Sequence, residues 1–224
     1  KTYSEKTTEI NFEINKRIAT LSNLLQISSL ISSGEKLENI LKITTEKAKS
    51  LVNSDVAYLF IKEQDADNFY AATVSGINSK YILQLKIANN DKAFNKLIKT
   101  NQPLILDKEN VAPEDLKKYF FERFKLNSAL VTPIHLNANV IGFLGIGSTG
   151  MSVLYKNEDI ELLDLFAKQL AIAIENDILM ERVGKLETKD ALTGLYNERF
   201  IHNRLQEEIK RAIMFRRPCA FILF

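Results

Sequence analysis

The chain has 224 residues, 46% of them apolar and 26% charged, with a formal net charge of +2. This is the composition of an ordinary globular protein; it excludes extended disorder, and so small a charge gives no footing for a nucleic-acid interface. A single cysteine, Cys219, rules out an internal disulfide framework and suits a reducing compartment, and two histidines, His135 and His202, cannot complete a zinc cluster with it. No apolar run approaches the ~20 residues that span a bilayer, and nothing at the start reads as a signal peptide. Lys1 is not an initiator Met and Phe224 ends inside an apolar run, so the chain is expected to be a piece of a longer protein. A cytoplasmic location follows from these features, with an upstream membrane segment left open.

Residues Tyr3 to Ile31 contain no Pro or Gly and predict one long helix, stopped by Gly34. Its apolar residues make a heptad-like seam, Ile14, Ile18, Leu21 and Leu25, with Asn11 and Ser28 at the ends. A second line, Leu24, Ile27 and Ile31, lies on a neighbouring face, so the helix has two apolar faces for one core or for two partners. A second helix follows from Lys36 to Leu51, with Leu37, Ile40, Leu41, Thr44, Ala48 and Leu51 at helical spacing. Val56–Ile61 and Phe69–Val74 read as a strand pair around a polar, Asp-rich turn. The stretch from Asn78 to Ile87 is ambiguous, and a short helix is expected from Asp91 to Lys99. Pro103 to Asp107 is a short strand, placed at a sheet edge because of its Pro. Pro113, with Glu114 and Asp115 behind it, starts a helix running to about Phe124. Ser128–Leu136 and Val140–Ile146 form a hairpin around Asn137-Ala138-Asn139. Gly142, Gly145 and Gly147 lie within that β run with no helix directly after them, so they do not read as a phosphate loop. Asn157 opens the longest helix of the second half.

This order predicts an α+β fold: a central antiparallel sheet of five to six strands with helices on both faces, the long terminal helices packed together. It resembles the GAF domain, a small-molecule sensing module. The resemblance is strongest from Tyr155 to Asn176, which looks like the family's closing helix, and continues through Val131–Ile134 and Val140–Leu144, which look like its hairpin. A second resemblance begins at Asp190. Asp190-Ala191-Leu192-Thr193-Gly194-Leu195-Tyr196-Asn197-Glu198-Arg199-Phe200 looks like the opening of a GGDEF domain, the diguanylate cyclase fold, with Glu198 where the family commonly has Arg. Independently of that likeness, Asn197 is a plausible N-cap for a helix carrying Phe200, Ile201, Leu205, Ile209 and Ile213, and Ala220–Phe224 reads as a buried strand. The domains implied are residues 1–19, an N-terminal signalling and dimerisation helix; 20–182, the GAF sensor; 183–190, a linker and coiled-coil joint; and 191–224, the N-terminal fragment of a GGDEF domain.

What the resemblance implies for chemistry is indirect. The metal-binding carboxylates and guanine-contacting residues of the cyclase family come after the stretch that matches, so catalytic residues are not expected within these 224 residues. Mg and GTP are expected for the cyclase part beyond them. In the GAF family ligands lie between the sheet and its covering helices; the lining implied here is Tyr58, Phe60, Phe94, Tyr119, Phe120, Ser128 and Thr132, suited to a small organic effector that no residue names. The sensing part has no cysteine, which excludes thioether-linked bilin and the cysteine-dependent methionine-sulfoxide reductases of this scaffold. The cyclic-nucleotide signature is matched only at Asn95-Lys96, with Tyr155 at its aromatic position and Asp159-Ile160 in place of Asp-Glu.

Positions seven apart on the closing helix form two lines: Leu165, Ile172, Leu179 and Leu186, and Leu162, Gln169, Asn176 and Val183. Together they make a coiled-coil seam in which Asn176 would cost stability and fix register. The seam is open to a second copy in a parallel homodimer, with Leu165, Ile172, Asn176, Leu179, Val183 and Leu186 at the interface, or to the N-terminal helix of the same chain. A sensing GAF domain that controls a cyclase through this helix is the reading adopted; a ligand-free GAF dimerisation module is the alternative.

Overall fold

A computed structural model describes residues 3–62, 68–88, 102–107, 118–150, 153–186, 188–190 and 192–222. The chain divides into two compact units, Lys1–Asn176 and Asp177–Phe224. In the first, helix α1 spans Tyr3–Ser32 and α2 spans Leu37–Leu51. Strands β1 (Val56–Lys62) and β2 (Asn68–Gly76) follow. The ambiguous stretch resolves into a single helical turn, α3 (Ser79–Ile82), and a short strand, β3 (Lys86–Ala88). Then come β4 (Leu104–Asp107), a π-helical turn at Lys118–Arg123, β5 (Ser128–Leu136) and β6 (Asn139–Ser148). Helix α4, Asn157–Leu186, begins in the first unit and crosses the division. The helix expected at 91–99 and the start of the one expected from Pro113 lie outside the described residues. The described end of the latter winds with π rather than α geometry.

The six strands form one antiparallel sheet in the order β3-β2-β1-β6-β5-β4. The strand behind Pro103 is indeed an edge strand, where a residue without an N–H leaves no ladder bond missing. The β5–β6 hairpin is one residue tighter than the sequence suggests, because Asn139 pairs with Leu136. Asn137 takes the positive φ of 56° in this turn, a conformation its short polar side chain tolerates.

Residues opposite one another across antiparallel strands share a face. Val74, Tyr58, Gly145 and Val131 form one such row, and Thr73, Leu59, Leu144 and Thr132 form the next, on the other face. Helix α2 packs over β1 and β2, burying Ile40, Leu41, Thr44, Thr45 and Ala48. Its two buried threonines donate to the carbonyls four residues back, Ile40 and Leu41, so neither hydroxyl is stranded. Helix α4 buries Leu162, Leu163, Phe166, Ala167, Leu170, Ala173 and Ile174. None of these helical residues belongs to the cluster on the Tyr58 face, which is built from Val56, Tyr58, Phe60, Phe69, Ile82, Ile87, Leu106, Phe124, Leu126, Ala129, Val131 and Phe143. The sheet therefore separates two apolar layers, one under the helices and one on the distal face.

Helix α4 starts on a reciprocal of the usual cap. Lys156 has no side-chain oxygen, and Asp159 three residues on accepts from the Lys156 N–H instead (3.0 Å). Its other carboxylate oxygen takes Lys16 Nζ of α1 at 3.1 Å, which ties the two terminal helices together at this point.

In the second unit, helix α5 spans Glu198–Phe215, and Asn197 caps it by accepting from Phe200 N at 2.8 Å. The strand expected at Ala220–Phe224 does not form over the described residues 220–222. A strand needs a neighbour to pair with, and among the described residues none lies beside this one. Among the described residues no helix is long and apolar enough to cross a membrane.

Candidate ligand-binding face

The distal face of the sheet carries the aromatic residues of the candidate site. Tyr58 and Phe60 stand two apart on β1, so both project to the same side. Phe124, just after the π-helical turn, closes a triangle with them: ring centroids lie 5.1 Å from Tyr58 and 5.7 Å from Phe60, and the latter two are 6.1 Å apart and edge-on. Such offset and edge contacts suit the ring quadrupoles. Phe69 and Phe143, 5.0 Å apart, extend the same layer.

The glycines of β6 explain how the triangle fits. A Cβ on Gly145 would stand 2.2 Å from the Tyr58 ring and 2.5 Å from its hydroxyl oxygen. The phenol lies directly over the glycine opposite it, in room that any larger residue would occupy. A Cβ on Gly147 would meet Leu126 at 2.7 Å. The glycine run thus shapes a packed surface and does not form a phosphate loop.

The Tyr58 hydroxyl is buried and has no hydrogen-bond partner among the described residues. Burial pushes its pKa well above the ordinary phenol value, with the nearby Tyr155 adding to the effect, so it remains a neutral donor at any physiological pH. A buried polar group without a partner is costly, and the hydroxyl is the one polar handle that the triangle offers. Beside this layer, Tyr70, Ala71, Leu83, Gln84, Leu85 and Lys86 line an open groove of about 450 Å³ along β2 and β3.

The sheet divides the residues expected to line one site. Tyr58 and Phe60 come together as anticipated. Ser128 and Thr132 do not join them: strand alternation sends both to the helix-covered face, in register with Ser148 and Leu144. There the Thr132 hydroxyl is buried without a partner among the described residues, and the Ser128 hydroxyl accepts from Val153 N at 3.0 Å, holding the segment that leads into α4. Phe94 lies outside the described residues; Tyr119 and Phe120 fall on the π-helical turn, and their side chains are likewise not described. Phe124 was absent from the expected lining, because a helical reading of Pro113 to Phe124 gives no reason to prefer it over three other aromatics.

A polar latch holds the exit of β6. Asp55, at the mouth of β1, accepts from Thr149 N (2.8 Å), Ser148 Oγ (2.9 Å) and Thr149 Oγ1 (3.2 Å). These bonds, the Thr149 N–H foremost, hold its carboxyl below the ordinary value. Asn127 reinforces the same turn by donating to the carbonyls of Thr149 and Gly150. Tyr155 follows, 4% exposed; burial raises its pKa, partly offset by the adjacent Ser128 and Ser54 hydroxyls, though its own hydroxyl reaches none in good hydrogen-bond geometry. His135 is half-buried in β5, and among the described residues no group of three or more His, Cys, Asp or Glu side chains could hold a metal.

On the outer side of α4, Leu165, Ile172, Leu179 and Val183 are 42–53% exposed, and Asn176 between them is exposed too. Leu162, which the heptad count places on this seam, is instead buried. The side chain of Leu186 is outside the described residues.

Known proteins place this geometry. The sequence profile of the GAF domain matches residues 36–174. The phycoerythrobilin-bound GAF domain of a cyanobacterial phytochrome is 19% identical, with a TM-score of 0.64 over 72% of this chain and 97% of that one. The GAF domain of a phosphoenolpyruvate-protein phosphotransferase from Coxiella burnetii is also 19% identical, with a TM-score of 0.61 over 74% and 98%. That of a putative sensor histidine kinase from Pseudomonas syringae pv. tomato is 18% identical, with a TM-score of 0.58 over 80% and 99%. A search of curated proteins finds no match. At these identities the solved structures establish the fold alone, and the profile covers more than half of the sequence. The chain belongs to the GAF domain family, the small-molecule-sensing regulatory domains.

Proposed function

We propose that this GAF domain senses a small organic molecule at its distal face and controls a diguanylate cyclase of the GGDEF type, whose opening is Asp190 onward, through a dimerising α4. The observation that carries the output half is the turn between α4 and α5. Asp190 Oδ1 accepts from Thr193 N (2.8 Å) and Thr193 Oγ1 (2.7 Å), and the Asp190 main chain bonds Leu195 and Gly194. Gly194 supplies the positive φ of 69°, and Asn197 caps the helix. Asp190, Thr193, Gly194 and Asn197 thus each have a local structural task, which supports reading this stretch as the family's opening. Helix α5 leaves Ile201, Ile209 and Ile213 at 45–74% exposure, a face suited to a further layer of the same domain. Mg and GTP would be bound by residues after this turn and helix.

The effector would contact Tyr58 and Phe60, with Phe124 beside them. The dimer reading rests on exposure. Within the first unit the α1 seam (Ile14, Ile18, Leu21, Leu25) is 48–72% exposed and Leu165 and Ile172 of α4 are 42–45% exposed, so these residues do not cover each other. A parallel pairing of α4 would set Asn176 against its mate and bring two cyclase domains face to face, which the condensation of two GTP needs. A ligand-free dimerisation module remains the second reading, favoured by the closeness of the three rings, which fill the space between them.

The test uses protein expressed from the complete gene, supplied with GTP and Mg²⁺ and assayed for cyclic di-GMP by mass spectrometry. Product is expected, and Leu179→Asp, which disrupts the seam without touching the cyclase, is expected to abolish it. No product from a folded dimer, or equal product from a monomeric Leu179→Asp protein, would overturn the output half. Native mass spectrometry of the same protein separates the two sensing readings: a reproducible added mass supports a ligand, and a bare dimer that stays bare across an effector panel supports the ligand-free module.

A further inference from the structure

The groove on the β3 edge of the sheet has a wall fixed by its own backbone. Asn78, at a positive φ of 60°, turns the chain out of β2 and into α3. Ile82, fully buried, anchors that single helical turn in the apolar layer. Leu83, Gln84 and Leu85 then donate back to the carbonyls of Ser79, Tyr81 and Ile82 at 3.0, 3.2 and 3.0 Å. Tyr70 and Ala71 of β2 complete the lining, with Lys86 of β3. Lys86 stands directly opposite Tyr70 in the β2–β3 ladder, and Tyr70 stands opposite Ile61 of β1. Tyr70 and Lys86 therefore share the face of Ile61, the reverse of the one that carries Tyr58 and Phe60. The groove is a different place from the aromatic triangle.

We propose that this groove binds a small aromatic carboxylate, its ring on the apolar wall of Tyr70 and Leu83 and its carboxylate at Lys86. Size is the first argument: about 450 Å³ falls in the range of small-molecule sites. The strand β3 pairs over three residues only, too short an edge to template a further strand, which favours a compact ligand over an extended peptide. The wall is the second argument. Tyr70 is 40% and Leu83 46% exposed, apolar surface that the domain leaves bare, and a flat ring can lie offset on the Tyr70 ring. Charge is the third. Lys86 is the one charged residue of the lining, and Lys80 is the only other charged residue from Asn68 to Ala88. The nearest acidic residues along the chain, Asp67 and Asp91, lie outside the described residues. Among the described residues the Lys86 ammonium has no ion-pair partner. An ammonium only donates, so it selects an acceptor, and an anion over a neutral group.

The test is amide NMR of the full, ¹⁵N-labelled chain, titrated with phenylacetate and with its neutral amide, phenylacetamide. Phenylacetate is expected to give saturable shifts at the amides of Tyr70, Ala71 and Leu83 to Lys86. Phenylacetamide should bind about fivefold more weakly, the upper range for one exposed ion pair. Lys86 and Lys80 are both exposed, so their replacement leaves the core intact. Lys86→Glu should weaken phenylacetate about fivefold or more. Lys80→Glu, the same charge change outside the lining, should weaken it about twofold or less, because solvent and salt screen it. No saturable shift at the groove amides overturns the site, as do shifts confined to β1 and Phe124, which would put the molecule on the distal face instead. Equal binding of phenylacetamide, no loss in Lys86→Glu, or equal losses in the two lysine variants overturns recognition of the carboxylate by Lys86.

Discussion

Replacing Tyr58 by Phe removes the one polar atom of the Tyr58–Phe60–Phe124 triangle. The Tyr58 ring packs against Phe60 and Phe124 over the bare backbone of Gly145, and its buried hydroxyl has no partner among the described residues. Stranding a hydroxyl costs about 1–3 kcal/mol relative to a paired or solvated one. Tyr58→Phe removes that cost and keeps the ring, its edge contact with Phe60 and its fit over Gly145. The unliganded domain should therefore become more stable, by about 1–2 kcal/mol, or roughly 3–6 °C in Tm for a unit of this size. The assay is urea denaturation followed by circular dichroism, read as a rise in midpoint at constant slope. A destabilised variant would refute the reasoning, since it would mean that the hydroxyl is satisfied in solution. If the hydroxyl is kept for a ligand, the stabilised variant will also lose the thermal shift that the ligand gives the parent.

Gly145→Ala should destabilise by about 1–3 kcal/mol, since the new Cβ would press on the Tyr58 ring, which the backbone of β1 holds in place; urea titration reads it, and a neutral result would mean that the ring moves freely. Asp55→Asn should cost about 1 kcal/mol at neutral pH by weakening the bonds that hold Ser148 and Thr149. Because the folded carboxyl is depressed below its ordinary value of 3.8, its contribution is complete above that value and fades as pH falls through the folded pKa. The gap between parent and variant should therefore narrow below about pH 4 in parallel stability curves. Asn176→Leu should tighten the dimer in sedimentation equilibrium and disturb its response to effector; a variant that sediments and signals like the parent would remove the register argument.

Periodicity carried most of the elements. The 3.6-residue spacing of α2 and α4, the Asn197 cap and the apolar runs of β1 and β5 depend on near neighbours in the chain, and each formed where the sequence put it. The strand at 220–222 did not form over its described residues, because β structure needs a partner and an apolar run contains no information about one. The site was only half legible. Tyr58 and Phe60 share a face by their spacing on one strand, which sequence can supply. Whether Ser128 and Thr132 join them depends on which parity of β5 stands opposite which parity of β6 and β1, and that register is a property of the assembled sheet. The same holds for Gly145, whose role is visible only when Tyr58 lies across it, and for Leu162, which a heptad count assigns to the seam and the core claims first. The sequence by itself determined the local geometry, because hydrogen bonds within helices and turns close over a few residues. Only the tertiary structure decided which side chains meet, because those contacts join residues tens of positions apart and are selected by the packing of the whole sheet.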